Sequence, residues 1–229
     1  MDADIATIAA LIGDPTRAKI LLALMGGLAL PAGELAMCAN IAPQTASSHL
    51  LKLLEAKLLN LEVQGRHRYY RLAGPEIGSI LESLMTVAPT PKLLAQRESE
   101  PNTPLRFART CYNHLAGAVA VQISQAFQEH GLLVAGSDKQ YGVTADGRLW
   151  FERFGIILDE IESSRSGFAR QCLDWTERRH HLAGALGTVL LQRLFELRWI
   201  VRVDRTRAVR ITYKGQEQLS KLLGVKFHA

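Results

Sequence analysis

The chain has 229 residues, of which 48% are hydrophobic, and its formal net charge is +5. This length allows one or two domains with a buried core, at roughly 100–200 residues per domain. The acidic start Met1–Asp4 lacks the basic residues of a secretory signal, and Gln192 ends the longest apolar run, so we expect neither a signal peptide nor a membrane span. Three cysteines without a Cys-x-x-Cys pair favour a reducing cytoplasm over a disulfide scaffold.

The positive charge is concentrated in the second part of the chain. Residues 1–89 carry a formal net charge of −1, whereas the remaining 140 residues carry +6. A DNA-binding surface in the first part would therefore depend on a few locally placed cations and not on bulk charge.

The first 40 residues predict three short helices. An apolar stripe indicates an amphipathic helix over residues 3–12. Asp14 followed by Pro15 is typical of the N-cap and first turn of a second helix, which ends at Gly26-Gly27. A third helix is predicted over residues 31–39.

The next segment predicts a helix with one apolar and one polar face. Pro43 suits a first helical position, and Ala46, Leu50, Leu53 and Leu54 recur at helical spacing. The opposite face carries hydrogen-bonding groups sized for base edges and phosphates, which are Gln44, Thr45, Ser47, Ser48, His49 and Lys52. Together with the preceding helix, this pattern predicts a helix-turn-helix that places its second helix in the major groove of double-stranded DNA.

A basic β-hairpin is predicted directly after this helix. Residues 58–72 have the pattern of two strands around Gly65, and the tip carries Arg66, His67 and Arg68. Cations at this tip are placed to straddle a phosphate backbone. The complete pattern is that of a winged helix-turn-helix.

An amphipathic helix is predicted after Gly74-Pro75, and it closes a domain over residues 1–88. The apolar faces of the first and last helices exceed what one small core needs, so we expect a homodimer, which suits a two-fold symmetric operator. Residues 89–104 then carry half of the prolines of the chain and predict a linker, with one short helical turn near residues 92–96.

Residues 105–229 predict a regulatory module of two related repeats, at about 108–158 and 175–226. The run His114-Leu115-Ala116-Gly117-Ala118 recurs as His181-Leu182-Ala183-Gly184-Ala185, and Val143–Gly147 resembles Ile211–Gly215. We expect each repeat to fold as helix, β-hairpin, helix, and the two to share one core about a pseudo-two-fold axis. The expected fold class of the whole chain is mainly α with small β-hairpins (α+β).

Residues 1–88 resemble the ArsR/SmtB family of bacterial winged-helix repressors. The matching segments are Gly13–Arg17 with Ile20-Leu21, Glu34–Ala36, Ser47–Leu53, and Gly65-Arg66 followed by Tyr70–Leu72. The resemblance implies a homodimer that represses a promoter until an effector binds.

The metal sites of that family do not carry over to this chain. Of the two cysteine positions in the helix that contains Glu34, the first holds Ala36 and only Cys38 matches the second. The helix near residues 75–87, which carries the other family site, contains no histidine. We therefore expect the sensor, if there is one, in the C-terminal module.

Cysteine and histidine residues in this module predict a candidate effector or redox site. Cys111 and His114 stand at i, i+3, which on a helix is one face, and Cys172 precedes His180 and His181 by about two helical turns. One hypothesis is a metal site from Cys111, His114, Cys172 and one of those histidines. A second is a reversible Cys111–Cys172 disulfide, and a third is that both cysteines are small buried apolar residues. The equivalent positions of His114 and His181 favour a structural role across the pseudo-dyad.

Trp175, Arg178 and His180, with Tyr112, could also line a pocket for a small aromatic or anionic effector. The alternative is a solvated helix face with Asp174–Arg178 and Glu177–His181 pairs at i, i+4.

Two other patterns admit a functional and an ordinary explanation. Cys172 and Arg178 match the Cys-x5-Arg spacing of thiol phosphatases, but acidic and bulky residues between them argue against an oxyanion loop. A later predicted hairpin carries arginines that form either a second phosphate clamp or a solvated edge, namely Arg202, Arg205, Arg207 and Arg210.

The sequence therefore predicts a DNA-binding transcriptional regulator without enzymatic activity. We expect a homodimeric repressor, released from operator DNA when the C-terminal module senses a small molecule, a thiophilic metal or an oxidant, with no cofactor required for the fold. Two alternatives stay open, a DNA-binding protein without an effector, and a DNA-binding domain fused to a Cys-dependent enzyme.

Overall fold

A computed structural model of the chain describes residues 4–88, 104–164, 167–204 and 206–227. The described chain divides into two compact units, Met1–Ser83 and Leu84–Ala229. Nearly all of the predicted linker, including the turn near residues 92–96, and Arg205 of the arginine hairpin lie outside the described residues.

The described residues of the N-terminal unit form four complete helices and a small antiparallel sheet. The helices are α1 (Ile5–Gly13), α2 (Pro15–Leu24), α3 (Ala32–Ala39) and α4 (Pro43–Glu55), and the strands are β1 (Leu30–Pro31), β2 (Leu59–Gln64) and β3 (His67–Leu72). The sheet has the order β1-β3-β2, and β2 pairs with β3 from Leu59 opposite Leu72 to Gln64 opposite His67. A fifth helix, α5 (Pro75–Val87), crosses the boundary between the two units.

Local signals set the limits of these helices. The Asp14 carboxylate accepts a hydrogen bond of 2.8 Å from the Arg17 N–H and so caps α2. Asn40 adopts the left-handed conformation, with φ 57°, at the end of α3 and turns the chain toward α4. Buried leucines and isoleucine from α2, α3 and α4 form the core beneath this turn, and they are Ile20, Leu21, Leu24, Leu35, Leu50 and Leu53.

The C-terminal unit contains two successive sets of elements in the same order. After the short α6 (Pro104–Phe107), the first set comprises β4 (Arg109–Thr110), β5 (Leu115–Ala116), α7 (Ala118–Glu129), β6 (Leu133–Ala135), β7 (Tyr141–Val143) and α8 (Ala145–Arg153). The second set comprises β8 (Arg170–Leu173), β9 (His180–Ala183), α9 (Gly184–Glu196), β10 (Ile200–Arg202), β11 (Val209–Ile211) and α10 (Tyr213–Leu223). Each set is hairpin, helix, hairpin, helix, and all four hairpins are antiparallel.

The predicted order of helix, hairpin, helix omitted the first hairpin of each set. Residues 111–114 form the turn of the β4–β5 hairpin, so the prediction that Cys111 and His114 share a helical face is wrong. Residues 170–183 form the β8–β9 hairpin, which replaces the two helical turns expected between Cys172 and His181. Strands of two to four residues are too short to show an alternating pattern in the sequence.

The last helix of each set begins in the same way. The hydroxyl of Thr144 accepts the Gly147 N–H at 2.9 Å, and the hydroxyl of Thr212 accepts the Gly215 N–H at 3.0 Å. A β-carbon on either glycine would lie 2.1 Å from a main-chain oxygen, that of Leu132 or of Trp199. Glycine at these two positions therefore allows each helix to pack closely on the hairpin before it.

The core of the C-terminal unit combines side chains from both sets. Phe127 contacts Phe151 edge-on at a ring distance of 5.2 Å, and Leu186 and Leu194 of the second set are fully buried in the same cluster. Among the described residues, the helices are all too short or too polar to cross a membrane.

Candidate functional site

Helix α4 presents a polar face away from the core of the N-terminal unit. It begins at Pro43 after the extended Ala42, and its apolar side buries Ala46, Leu50 and Leu53. Most of the predicted DNA-contacting side chains on the other side are exposed, namely Gln44, Thr45, Ser47, Ser48 and Lys52. The arrangement places short hydrogen-bonding groups and one cation on one accessible helix face.

His49 lies differently from the other predicted contacts of α4. Its side chain is only 16% exposed, and Nδ1 lies 3.8 Å from Oδ1 of Asp14, the residue that caps α2. This position lets His49 contribute to the packing of α4 against the start of α2.

The β2–β3 hairpin forms a wing with an exposed basic tip. Gly65 has φ 61° in its turn, a conformation that glycine adopts without strain. Arg66, His67 and Arg68 are all exposed. Further along the wing, Nη1 of Arg71 lies 2.8 Å from Oε1 of Glu62, so this charge is partly neutralised.

Comparisons with known proteins identify the type of domain and the family. A family model described as a helix-turn-helix domain matches residues 12–62. A curated relative from Bacillus subtilis (strain 168), named "Uncharacterized HTH-type transcriptional regulator YdfF", is 51% identical over 226 residues, which cover 99% of this chain and 100% of the relative. The chain belongs to the HTH-type transcriptional regulators. The prediction of a DNA-binding transcriptional regulator is confirmed by these matches.

Solved structures similar to this regulator cover about a third of its length. HlyU from Vibrio cholerae N16961 is 24% identical over 34% of this chain and 85% of its own, with a TM-score of 0.33. The transcriptional repressor BigR from Xylella fastidiosa is 20% identical over 38% of this chain and 89% of its own, with a TM-score of 0.35. The cadmium metal-sensor CMTR from Mycobacterium tuberculosis is 31% identical over 38% of this chain and 93% of its own, with a TM-score of 0.33.

The C-terminal unit of the regulator contains a cluster of two cysteines and two histidines. The side chains of Cys111, His114, Cys172 and His181 place one potential ligand atom each within 4.8 Å of one another. The first pair comes from the β4–β5 turn, where the Cys111 N–H donates to the His114 carbonyl at 2.9 Å. The second pair consists of cross-strand neighbours in the β8–β9 hairpin. Three of the four side chains are buried, and that of Cys172 is half-buried.

The two imidazoles of the cluster face each other. Nε2 of His114 lies 3.1 Å from Nε2 of His181. The other nitrogen of each ring faces an oxygen, because His114 Nδ1 lies 3.2 Å from Asn113 Oδ1 and His181 Nδ1 lies 3.5 Å from Asp174 Oδ2. The cluster therefore has oxygen acceptors on its outer side and nitrogen and sulfur atoms on its inner side.

Asp174, for which a solvated helix face was one of two alternatives, is fully buried beside this cluster. It accepts hydrogen bonds from the Arg109 guanidinium at 3.0 Å and from the Gly117 N–H at 2.7 Å. Burial raises the pKa of the Asp174 carboxyl, but the Arg109 charge, His181 and these hydrogen bonds outweigh it and hold the pKa below its usual value of 3.8. The predicted i, i+4 pairs do not form, because residues 174–179 make the loop of a hairpin.

Interactions within the cluster stabilise the thiolate form of Cys172. A hydrogen bond with the Cys111 thiol lowers the pKa of Cys172 most, and hydrogen bonds with His114 and His181 lower it further. Desolvation acts in the opposite direction, and the net result is a pKa well below the ordinary value of 9.0. The thiolate is the form of cysteine that binds metals or attacks oxidants.

The other predicted effector residues are not part of this cluster. Arg178 and His180 are exposed, and the Trp175 ring packs against the Arg109 guanidinium at 4.8 Å. The loop that follows Cys172 also differs from an oxyanion loop, because the N–H groups of Thr176 and Glu177 donate to Asp174 Oδ1 at 2.9 and 3.1 Å. These two amides are therefore directed at a carboxylate of the chain itself.

The arginine hairpin is only partly accessible. Arg202 and Arg210 are exposed, and the Arg202 guanidinium lies 4.8 Å from the centre of the Phe195 ring. Arg207 is half-buried, and its carbonyl accepts the Thr110 N–H at 2.8 Å. This packing favours a structural role for part of the hairpin.

Sequence reasoning missed Arg109 and Asp174 as supports of the cluster. The available signal was the pair of triplets Arg109-Thr110-Cys111 and Arg170-Gln171-Cys172, which precede the His-Leu-Ala-Gly runs. Two residues separate Cys111 from His114, but eight separate Cys172 from His181, so the two segments do not align at a fixed offset.

Proposed function

We propose that this regulator is a homodimeric repressor that reads operator DNA with α4 and holds the phosphate backbone with its wing. The observation that supports this most directly is the exposed polar face of α4 opposite buried Ala46, Leu50 and Leu53. In a winged helix, such a face enters the major groove and contacts base edges, while the wing contacts phosphates. Gln44, Thr45, Ser47, Ser48 and Lys52 would lie in or beside the groove.

Exposed apolar side chains on α1 and α5 support a dimer. Ile5 of α1 is 74% exposed, and Ile80 of α5, within the same unit, is 46% exposed. Apolar side chains on two helices that flank one domain are a common basis for pairing with a second copy. A dimer presents two α4 helices to two half-sites of an operator.

The C-terminal unit would carry the signal that releases the operator. The cluster of Cys111, His114, Cys172 and His181 has inner nitrogen and sulfur atoms. Such atoms bind thiophilic metals, and the thiolates among them react with oxidants. A small-molecule effector held near Trp175 is a second proposal for the same unit. The loop after Cys172 offers little support for the enzyme alternative, since Asp174 accepts its amides.

The wing assignment can be tested by the salt dependence of DNA binding. Arg66→Ala should weaken binding of the full chain to its operator and flatten the plot of log K against log salt by about 0.9, because one phosphate contact releases about one counterion. Fluorescence anisotropy at several salt concentrations measures both quantities. The operator DNA for this assay is obtained by selecting, from a pool of random double-stranded oligonucleotides, the sequences that the full chain binds.

Arg71→Ala is the matched control on the same wing. Arg71 pairs with Glu62 at 2.8 Å, so its loss should change the slope less than the loss of Arg66. If Arg66→Ala leaves affinity and slope unchanged, or if both variants have equal effects, the proposed role of the wing tip is wrong.

A further inference from the structure

We propose that Cys111, His114, Cys172 and His181 bind one divalent cation of the zinc class in a closed tetrahedral site that joins the two β-hairpins of the C-terminal unit. The proposal does not depend on DNA binding by the N-terminal unit. It assigns the four side chains to a single ion, held in pairs by the β4–β5 turn and the β8–β9 hairpin.

The ligand set and its spacing fit zinc. Two thiolates and two imidazoles in tetrahedral geometry are a common structural zinc site. Zinc bonds to sulfur and nitrogen imply ligand atoms roughly 3.3–3.8 Å apart at the corners of the tetrahedron. The four atoms lie within 4.8 Å of one another, and the two imidazole nitrogens are 3.1 Å apart, so small side-chain rotations are enough to close the site.

The hydrogen-bonding oxygens around the histidines favour a metal between the two rings. If Nδ1 of each ring carries the proton, His114 donates to Asn113 Oδ1 at 3.2 Å, whereas His181 Nδ1 lies 3.5 Å from Asp174 Oδ2 without a formed hydrogen bond. Both Nε2 atoms then present lone pairs to each other at 3.1 Å, which is repulsive without a proton or a cation between them. Metal-binding histidines commonly donate their other N–H to a carboxylate or amide oxygen in this way.

The charges of the site balance when the ion is bound. Both cysteines bind as thiolates, any remaining thiol proton is released to solvent, and the two thiolates neutralise the two positive charges of the ion. Asp174 already pairs with Arg109 at 3.0 Å, so its charge does not remain uncompensated beside the site.

Burial and ligand count indicate an ion that stabilises the fold, so the metal or oxidant signal proposed above would act by filling or emptying this same site. Four protein ligands fill a tetrahedral coordination shell. They leave no position open for a substrate or water, whereas catalytic zinc requires such an open position. Three of the four ligands are buried. The ion would connect residues 111 and 172, which come from the two successive sets of elements, and so would stabilise the folded C-terminal unit.

The same hairpin pattern occurs on both sides of the cluster. Arg109 lies opposite Ala116 in one hairpin, and Arg170 lies opposite Ala183 in the other. In each, the cysteine two residues after the arginine faces the histidine two residues before the alanine. Each hairpin thus supplies one sulfur and one nitrogen, and the tetrahedral set arises from two equivalent halves.

Metal content and cobalt spectroscopy of the full chain test the proposal. The protein is purified under reducing conditions, its zinc is measured by elemental analysis, and the zinc-free protein is titrated with Co²⁺. We expect one zinc ion per chain, together with the intense visible bands of tetrahedral Co²⁺ and a thiolate charge-transfer band in the near ultraviolet. The cobalt spectrum of the unaltered chain reports the ligand set even if a variant fails to fold.

Variants with matched controls assign the ligands. Cys172→Ser and His181→Asn should lose the bound ion and the tetrahedral cobalt bands. Cys38→Ser removes an exposed cysteine of α3, and His180→Asn removes the exposed neighbour of His181, so both should retain one ion per chain.

Three results would overturn the proposal. One is an unaltered chain that binds no zinc and gives only the weak spectrum of octahedral Co²⁺. Another is full zinc binding by a folded Cys172→Ser variant. The third is a Cys111–Cys172 disulfide that forms equally fast with and without added zinc, since bound metal should protect both sulfurs from oxidation.

Discussion

At the scale of single residues, Asp174 joins several elements of the C-terminal unit. Its carboxylate connects the β8–β9 loop with Arg109 of β4 and with Gly117 at the start of α7. Both members of the Arg109–Asp174 ion pair are 0% exposed. Removing one charge leaves the other buried without a partner. The resulting loss of stability exceeds the stability that the intact pair contributes.

Asp174→Ala should therefore lower the free energy of unfolding by about 3–5 kcal/mol, as measured by urea denaturation. The control is the double variant Arg109→Met with Asp174→Leu, in which no charge stays buried. It should lose clearly less stability than the sum of the two single changes. Additive losses would show that the buried pair is not the dominant interaction of Asp174.

Asp14 provides a test in the N-terminal unit. It caps α2, and Asp14→Ala should lower the free energy of unfolding by about 1 kcal/mol. The hydrogen bond from the Arg17 N–H is the main reason that the pKa of Asp14 lies below 3.8. A carboxyl whose pKa is lowered by folding stabilises the fold at pH values above its pKa in the unfolded state. This contribution is lost as the pH falls through its pKa in the folded state.

The difference in free energy of unfolding between the unaltered chain and Asp14→Ala should thus have its full size at neutral pH and become smaller below about pH 4. Urea titrations at several pH values measure it. Asp14→Ser retains a capping oxygen and should recover most of the loss at pH 7. A difference that grows on acidification would contradict the assigned role of the carboxylate.

At the scale of elements, predictability depended on length. Helix α4 was predictable because its 13 residues show helical periodicity, and the wing because two six-residue strands flank Gly65. The β4–β5 and β8–β9 hairpins were not, since their strands have two to four residues. The candidate cluster was named from residue types, but its geometry depends on hairpin pairing that spacing alone did not reveal.

The helix starts at Gly147 and Gly215 give a prediction at this scale. Gly147→Ala and Gly215→Ala should each lower the free energy of unfolding by about 1–3 kcal/mol, because the new β-carbon would lie 2.1 Å from a main-chain oxygen. Thermal or urea unfolding checks this. Gly142→Ala in β7 is the control, since its β-carbon meets only the Val134 oxygen at 3.8 Å. If neither Gly147→Ala nor Gly215→Ala lowers the free energy of unfolding, the close packing of each helix on the preceding main-chain oxygen is not required for stability.

At the scale of the whole molecule, the chain combines a DNA-reading unit with a larger unit of different chemistry. The N-terminal helix-turn-helix carries a net charge near zero, so we propose that affinity for DNA comes from a few side chains on α4 and the wing. A monomer with one reading helix would bind weakly and recognise a short site. Two copies paired through exposed side chains such as Ile5 and Ile80 would double the contact surface and fix the spacing of half-sites.

The most direct test of this account is the DNA sequence that the full chain selects from a random pool of double-stranded oligonucleotides. The account predicts enrichment of an inverted repeat whose half-sites lie about one helical turn, roughly 10 base pairs, apart. It further predicts that Lys52→Ala, with the exposed Lys19→Ala of α2 as control, reduces recovery of that repeat. Selection of a single asymmetric half-site would contradict the dimer, and no enrichment over random sequence would contradict sequence-specific reading by α4.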